Sequence, residues 1–480
     1  MRIFAVAAAL SIAMAGTPAA GTSPPDLPAN LRRLAATAAG LPPEFQADTL
    51  LQIVESRGGL DAAVKKDLVE RAFGAGQQAR VEYPQVAVHR INPDSRQAFL
   101  AGALSLKLDR LSLETRAVRM MMAADASAAR QMFTGIQKPI VAPGSCADAL
   151  IPQLDDYYDT AAPVILHGFT AEEISRQEPT ALLMRILSGV AAPYEIAPAA
   201  RLILSVNLTS VQFEAALNAL TLRLESIAPE DRSFGETAAA VQDAVAALAV
   251  HAGSGPSRIV LARAYRKYLT ANYGKSKCSD MAGGRIGGDA SISPVDWFNE
   301  SELRSGLPAI EVKEITAAAG SAGGSPMHLD GFWTTPDSEK ILSAARELRT
   351  APNGMSWSAE QRTSSEWNQK LQDFLSQVGQ WKQSGDESEL DFFNEKAIVY
   401  QSLVDVCPAG DARKRLIAAF VDFLGGSDAA ARNPVDWFWH AQNLYRRLGQ
   451  AGDGDAANLM AAYKGSGNLI LAVYAELYGR

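Results

Sequence analysis

Tryptophan and histidine are the side chains of this chain best suited to holding or acting on a ligand, and their positions are uneven. All seven tryptophans, Trp297, Trp333, Trp357, Trp367, Trp381, Trp437 and Trp439, fall after residue 290. A large flat ring with a single N–H donor suits a surface for a sugar or a peptide, and Trp333, Trp437 and Trp439 are the ligand-binding candidates. Core packing is the commoner use of the same ring. Trp437 and Trp439 lie two apart on one predicted helix, so they cannot face the same core, and at least one must sit near the surface or against an adjoining segment.

Other chemistry finds no local pattern. His89, His167, His251, His328 and His440 are far apart, and neither His-Glu-x-x-His nor Cys-x-x-Cys occurs, so no metal ligands are assigned. Gly283-Gly284-Arg285-Ile286-Gly287-Gly288 lacks the preceding strand, the following helix and the Lys-Ser or Lys-Thr that a phosphate cradle requires. Gly-x-Ser-x-Gly is absent, and Ser254 between Gly253 and Gly255 reads as a helix break. The neighbouring acids Asp155-Asp156 and Glu172-Glu173 point about 100° apart on a helix and read as solvated faces. No catalytic residue and no cofactor is assigned.

Cys146, Cys278 and Cys407 allow at most one internal disulfide. Cys146 and Cys278 are each followed two residues later by an acid, Asp148 and Asp280, in irregular Gly-containing stretches, and form the preferred pair. Three buried thiols acting as small apolar residues are the alternative.

The composition is that of a globular protein, 48% hydrophobic and 20% charged. The net charge of −8 comes from 53 acidic and 45 basic residues mixed along the chain, which argues against a nucleic-acid surface. The cluster Arg413, Lys414, Arg415 reads as a solvated helix face. Residues 1–20 read as a secretory signal: Arg2, an apolar core from Ile3 to Met14, then small residues with cleavage after Ala15 or Ala19. The expected location is periplasmic or extracellular, with no membrane span after signal removal.

The elements that must position these residues are helices. In Leu111 to Ile136 the residues Leu113, Ala117, Val118, Met121 and Met122, then Ala129, Met132, Phe133 and Ile136, fall at three-and-four spacing on either side of Asp125, a candidate N-cap. Pro42 to Phe73 reads as a similar hairpin. An extended leader spans residues 21–30 and a helical region 31–274, in which the pattern runs on through about Ala147 to Leu166 and Ala171 to Val190 without strand-like alternation. Residues 275–336 form an irregular Gly/Ala/Ser-rich linker or insertion, with Ile310 to Ile315 as either a lone strand or a short helix. Its glycines predict the loosest part of the chain, unless Trp297, Phe298, Phe332 and Trp333 pin it to a helical surface and leave Ala317 to Pro326 mobile. A Trp-containing helical region spans 337–480. Pro-Val-Asp-Trp-Phe occurs at Pro294 to Phe298 and at Pro434 to Phe438, an echo explained by a helix-opening proline with an aromatic anchor.

With hairpins such as Pro42 to Phe73 and Leu111 to Ile136, and small residues at the helix contacts, the chain resembles α/α superhelical repeat proteins of the tetratricopeptide and HEAT kind. The tetratricopeptide signature of Trp, Leu-Gly and Tyr is absent, so no residue role carries over. The resemblance implies an all-α fold of antiparallel hairpins stacked as a solenoid-like superhelix. The leading expectation is therefore an exported, non-enzymatic scaffold binding a protein or peptide along a concave helical surface. The alternative is an exported α/α-barrel hydrolase or lyase acting on polysaccharide, its carboxylates supplied from separate helices.

Overall fold

Asp125 opens the second helix of the hairpin as the sequence predicts, its carboxylate accepting the Ala128 N–H at 2.9 Å. It also pairs with Lys66 at 2.7 Å, so the residue that fixes the turn ties the hairpin to the earlier helix Ala62–Gly76. The computed structural model describes residues 27–56, 59–88, 96–145, 148–229, 231–275, 294–304, 306–311, 335–385, 387–404, 406–451 and 453–479.

The fold is all-α apart from one short ribbon. Helices α1 (Ala29–Ala38), α2 (Pro43–Glu55) and α3 (Ala62–Gly76) precede strand β1 (Gln85–Ala87). Helices α4 (Arg96–Leu104), α5 (Arg110–Met122) and α6 (Ala126–Gly135) lead to its partner, β2 (Leu150–Pro152). Then come α7 (Asp155–His167), α8 (Ala171–Ser175), α9 (Glu178–Ser188), α10 (Pro193–Ser205), α11 (Ser210–Ser226), α12 (Ser233–Ala252), α13 (Pro256–Lys275) and α14 (Pro294–Glu300). The last part holds α15 (Pro336–Arg349), α16 (Ser365–Gln380), α17 (Glu389–Val404), α18 (Asp411–Gly425), α19 (Ala429–Arg432), α20 (Pro434–Ala451), α21 (Asp453–Gly465) and α22 (Leu469–Tyr478). Prolines open α2, α10, α13, α14, α15 and α20, where a missing N–H costs nothing.

Packing runs in alternate helices. α3 lies on α5, α5 on α7, α7 on α10 and α10 on α12, while α9, α11 and α13 form a second row. Small residues permit the close approaches: a Cβ on Gly76 would stand 3.1 Å from the Leu113 Cβ, and Ala117 and Ala129 are fully enclosed.

The C-terminal helices return to the start of the chain. Arg33 pairs with Glu476 at 2.8 Å, and the Tyr474 hydroxyl donates to Asp48, which also takes the Arg116 guanidinium at 2.6 Å. Phe45 sits edge-on to Phe438 and Tyr474, at 5.1 and 6.2 Å between centroids. α20 crosses α4, where Phe99 stacks on His440 and Arg96 forms a two-point ion pair with Asp391 of α17.

Several predicted boundaries are corrected. The helical pattern from Ala147 gives way to β2, antiparallel to β1 with Val86 opposite Ile151, and α7 starts only at Asp155. Periodicity could not see this, because the partner strand is distant and Pro152 denies a helix its N–H. The segment Ala171 to Val190 breaks at Gln177, whose φ of 61° lies in the left-handed region, and Pro179 begins the new helix. Within the 337–480 region, α16 begins at Ser365 after a 3-10 turn at Gln361–Thr363 and the Ser364 cap.

Within the 275–336 stretch, residues 294–311 are largely described and are pinned. Phe298 is buried, Trp297 meets the edge of Tyr265, Arg266 donates to the Pro308 and Ala309 carbonyls, and Asn299 exchanges two hydrogen bonds with the Ile310 backbone. Residues 306–311 are neither strand nor helix. The signal, Trp333, Phe332, Ala317 to Pro326 and the Cys146–Cys278 pair lie outside the described residues. Cys407 is buried as a free thiol, and burial raises it to about 11. Among the described residues no helix is long and apolar enough to cross a membrane.

Candidate functional site

Three stretches that are not helical meet at one place. Residues 81–84 follow α3, residues 140–145 and 148–149 precede β2, and Asp231 lies just before α12. They are held by backbone bonds: Arg110 N–H to the Val81 carbonyl at 2.8 Å, Leu111 N–H to Glu82 at 3.1 Å, Gln153 N–H to Pro84 at 2.9 Å and Arg232 N–H to Gly144 at 2.9 Å. Gly144 permits the last approach, since a Cβ there would lie 3.1 Å from the Arg232 Cβ. Between them is a cleft of about 550 Å³, a volume typical of ligand sites.

Its polar lining is acidic. Glu82, Asp148 and Asp231 contribute carboxyls, Tyr83, Gln85 and Gln97 add hydroxyl and amide groups, and among the described residues no Lys, Arg or His side chain lines it. The buried Asp231 accepts the Ser233 N–H at 2.8 Å and the Ser233 hydroxyl at 2.7 Å. Burial raises its carboxyl above the ordinary value, those hydrogen bonds oppose the rise, and the Asp148 charge adds to it. Asp148 accepts the Ser145 N–H at 2.6 Å. Tyr194, at the start of α10, has its phenol raised by burial, by Glu195 and by Asp231. The apolar wall is Ile140, Val141 and Pro143, and the Ile140 side chain is fully exposed. An acidic cleft with a bare aliphatic lip is complementary to a chain carrying a basic and an apolar side chain.

No protein-family model matches the chain, and neither the curated proteins nor the solved structures give a match. The functional reading therefore stands on geometry.

The tryptophan candidates are elsewhere. Trp437 is wholly enclosed, its indole N–H donating to the Leu424 carbonyl at 2.8 Å. Trp439 is half-buried and packs on α4, against Gly102 and 5.8 Å from Phe99. The two face different surroundings, as their spacing requires. Trp357, not singled out from sequence, borders a hollow of about 430 Å³ with Arg346 and Lys370. His440 is enclosed between Asn394, 2.8 Å from Nε2, and Gln401, 3.0 Å from Nδ1, and burial depresses it to about 3, so it stays neutral.

The acid pairs read as solvated faces are engaged. Asp156 takes Lys107 at 2.8 Å, Asp155 takes Arg201, and Glu173 joins Thr170 in a capping box while pairing with Arg130 at 2.7 Å. Arg413 likewise leaves its predicted solvated cluster, pairing with Asp455 at 2.8 Å and donating to the Cys407 carbonyl.

Unpaired carboxyls collect at the start of α17. Glu395 is fully buried with no hydrogen-bond donor at either oxygen, and one oxygen of Glu387 and the Ser384 hydroxyl are also enclosed without partners. Burial, and then the Glu387 carboxylate beside it, push the Glu395 carboxyl far above its ordinary range, so it holds its proton at neutral pH. Among the described residues no group of His, Cys, Asp or Glu is placed to hold a metal ion.

Sequence reasoning missed Glu82, Tyr83 and Asp231. Each looks ordinary locally, Asp231 most of all, since an acid two residues before a helical Ser is an unremarked cap. Asp148 drew notice only as a neighbour of Cys146.

Proposed function

We propose that the protein is an exported helical scaffold that binds an extended, basic segment of a partner protein in the cleft bounded by Glu82, Ile140, Asp148 and Asp231. The observation that carries this is the convergence of three carboxyls from three separate stretches onto one cleft with no basic residue among its described lining. Electrostatic complementarity would set the partner's charge, and the exposed Ile140 would receive an apolar neighbour of the basic residue. The alternate-helix packing of α3, α5, α7, α10 and α12 supports a solenoid-like superhelix, the architecture in which such scaffolds present extended binding surfaces.

Selection of displayed random heptapeptides on the purified protein tests the reading. Enrichment of sequences pairing Lys or Arg with an aliphatic residue, lost in Asp148→Asn/Asp231→Asn, is expected. Enrichment of acidic sequences, or of none, would refute it.

A second reading, an α/α hydrolase or lyase acting on polysaccharide, draws on one observation: the Asp231 carboxyl is raised by burial with Asp148 beside it, an arrangement suited to a general acid. Reducing-end release or unsaturated product from acidic and neutral polysaccharides, abolished by Asp231→Asn, would favour it over the scaffold.

A further inference from the structure

The acidic cleft also holds backbone that pairs with nothing. In the ribbon the Val88 N–H donates to the Ala149 carbonyl at 3.0 Å and the Gln153 N–H to the Pro84 carbonyl at 2.9 Å, with Val86 opposite Ile151 between them. These are the positions at which the two strands exchange hydrogen bonds. The alternation of an antiparallel pair therefore turns the backbone of Leu150 and Pro152 away from β1. Leu150 is half-buried, and among the described residues its N–H and C=O meet no partner. Pro152 has no N–H, so Leu150 is the one β2 residue that presents both a donor and an acceptor on this outer edge. All three residues of β2 line the cleft, while α4 packs on β1.

A second stretch lining the cleft is in the same condition. Ile140, Val141 and Ala142, between Pro139 and Pro143, belong to no helix or strand, and among the described residues their backbone makes no hydrogen bond. The stretch is fixed at both ends: Lys138 binds Glu195 and the Gly189 carbonyl, and Gly144 accepts the Arg232 N–H. Backbone N–H and C=O groups are obligatory bonding groups, and a strand edge that leaves them free is a template for another extended chain. The carboxyls of Asp148 and Asp231 set the charge of that chain.

We propose that the partner's basic segment enters the cleft as a third strand, its backbone paired with Leu150 on the outer edge of β2 and its basic side chains on Asp148 and Asp231. Successive side chains of a strand point to opposite faces, so the segment recognised alternates basic with aliphatic residues. This rests on the reading of the cleft as a partner site and adds how the partner is held: backbone pairing supplies the grip, and charge decides which sequences are admitted.

The test is fluorescence-anisotropy titration of the full chain with a labelled heptapeptide of alternating Lys and Val. Two analogues carry N-methyl groups, one on the lysine and one on the valine backbone nitrogens, so each keeps the charges and side chains but loses the donors of one edge. The parent peptide should bind, and at least one analogue should bind about tenfold more weakly, the scale of one or two lost backbone hydrogen bonds. Leu150→Pro, which removes the free edge N–H and no bond of the ribbon, should weaken the parent peptide similarly. Ala87→Pro, at the equivalent outward position of β1 and outside the cleft lining, should not, and circular dichroism checks that both variants are folded. Equal affinity of both analogues, undiminished binding to folded Leu150→Pro, or an equal loss in folded Ala87→Pro would overturn strand pairing and leave the partner cleft standing. No binding of the parent peptide, or binding unchanged in Asp148→Asn/Asp231→Asn, would remove the cleft reading and this inference with it.

Discussion

Glu395→Gln should make the protein more stable, and increasingly so as the pH rises. Glutamine keeps the shape of the side chain and, unlike the carboxyl, keeps a donor facing Glu387 at every pH. At low pH the amide only takes over the hydrogen bond that the protonated carboxyl makes to Glu387, so the gain there is small and grows with pH. Proton linkage sets the pH dependence. The folded-state carboxyl is raised above its ordinary value of 4.5, so at lower pH both folded and unfolded chains hold the proton and nothing is lost. Above that value the unfolded chain releases its proton while the folded chain retains it, and stability falls by up to about 1.4 kcal/mol per pH unit until the folded group itself ionises. The variant has no proton to retain, so its advantage over the parent should widen between about pH 5 and about pH 8, the window set by that upward shift. Urea unfolding followed by circular dichroism at the two pH values measures it. A midpoint no higher than the parent's, or a gain that does not widen with pH, would mean that Glu395 is not a neutral acid beside Glu387.

Two glycine substitutions should have opposite signs. A Cβ on Gly102 would stand 2.6 Å from Trp439 Cε2 and 2.8 Å from its Nε1, so Gly102→Ala should cost about 1–3 kcal/mol in repacking against a helix-propensity gain of about 1 kcal/mol. Gly74→Ala, with nothing within 4 Å of the new carbon, should gain about 0.5–1 kcal/mol, and thermal unfolding compares the two. Proteolytic nicking near Gly320 should leave two pieces that co-elute in size-exclusion chromatography, because α20 and α22 pack on α4 and α2; separation without denaturant would contradict that interface. On denatured protein, one reactive thiol without reductant and three with it are expected if Cys146 and Cys278 are joined, whereas three throughout would remove the disulfide.

Much of the fold was legible because its signals are local. The stripes of Leu113, Val118 and Met121 and of Ala129 and Phe133, with Asp125 between them, specify a hairpin from a few consecutive turns, and each of these stripe residues is buried. The ribbon was illegible because Gln85–Ala87 and Leu150–Pro152 have too few residues to show alternation and depend on a partner some 65 positions away. The cleft was illegible for a related reason. Glu82, Asp148 and Asp231 acquire their common surroundings only when three loops are brought together, and nothing in the spacing of the three along the chain records that meeting. Tryptophan misled in the other direction, since its clustering after residue 290 drew attention to rings of which Trp367 and Trp437 are wholly enclosed in helix packing.

The junction of the first and last helices has a consequence for how the protein is made. Tyr474 meets Asp48 across 426 positions of sequence, and Arg33 meets Glu476 across 443. Contacts this non-local raise the contact order and delay the step that completes the core, because a long loop must close before any of them forms. During synthesis α1 and α2 emerge early, yet the face of α2 that carries Phe45 has no cover until α20 and α22 are made. For nearly the whole of synthesis that apolar surface is open to other chains. Truncating the last helix should therefore arrest the molecule in this unfinished state, one that binds hydrophobic dyes and aggregates, instead of merely trimming its end.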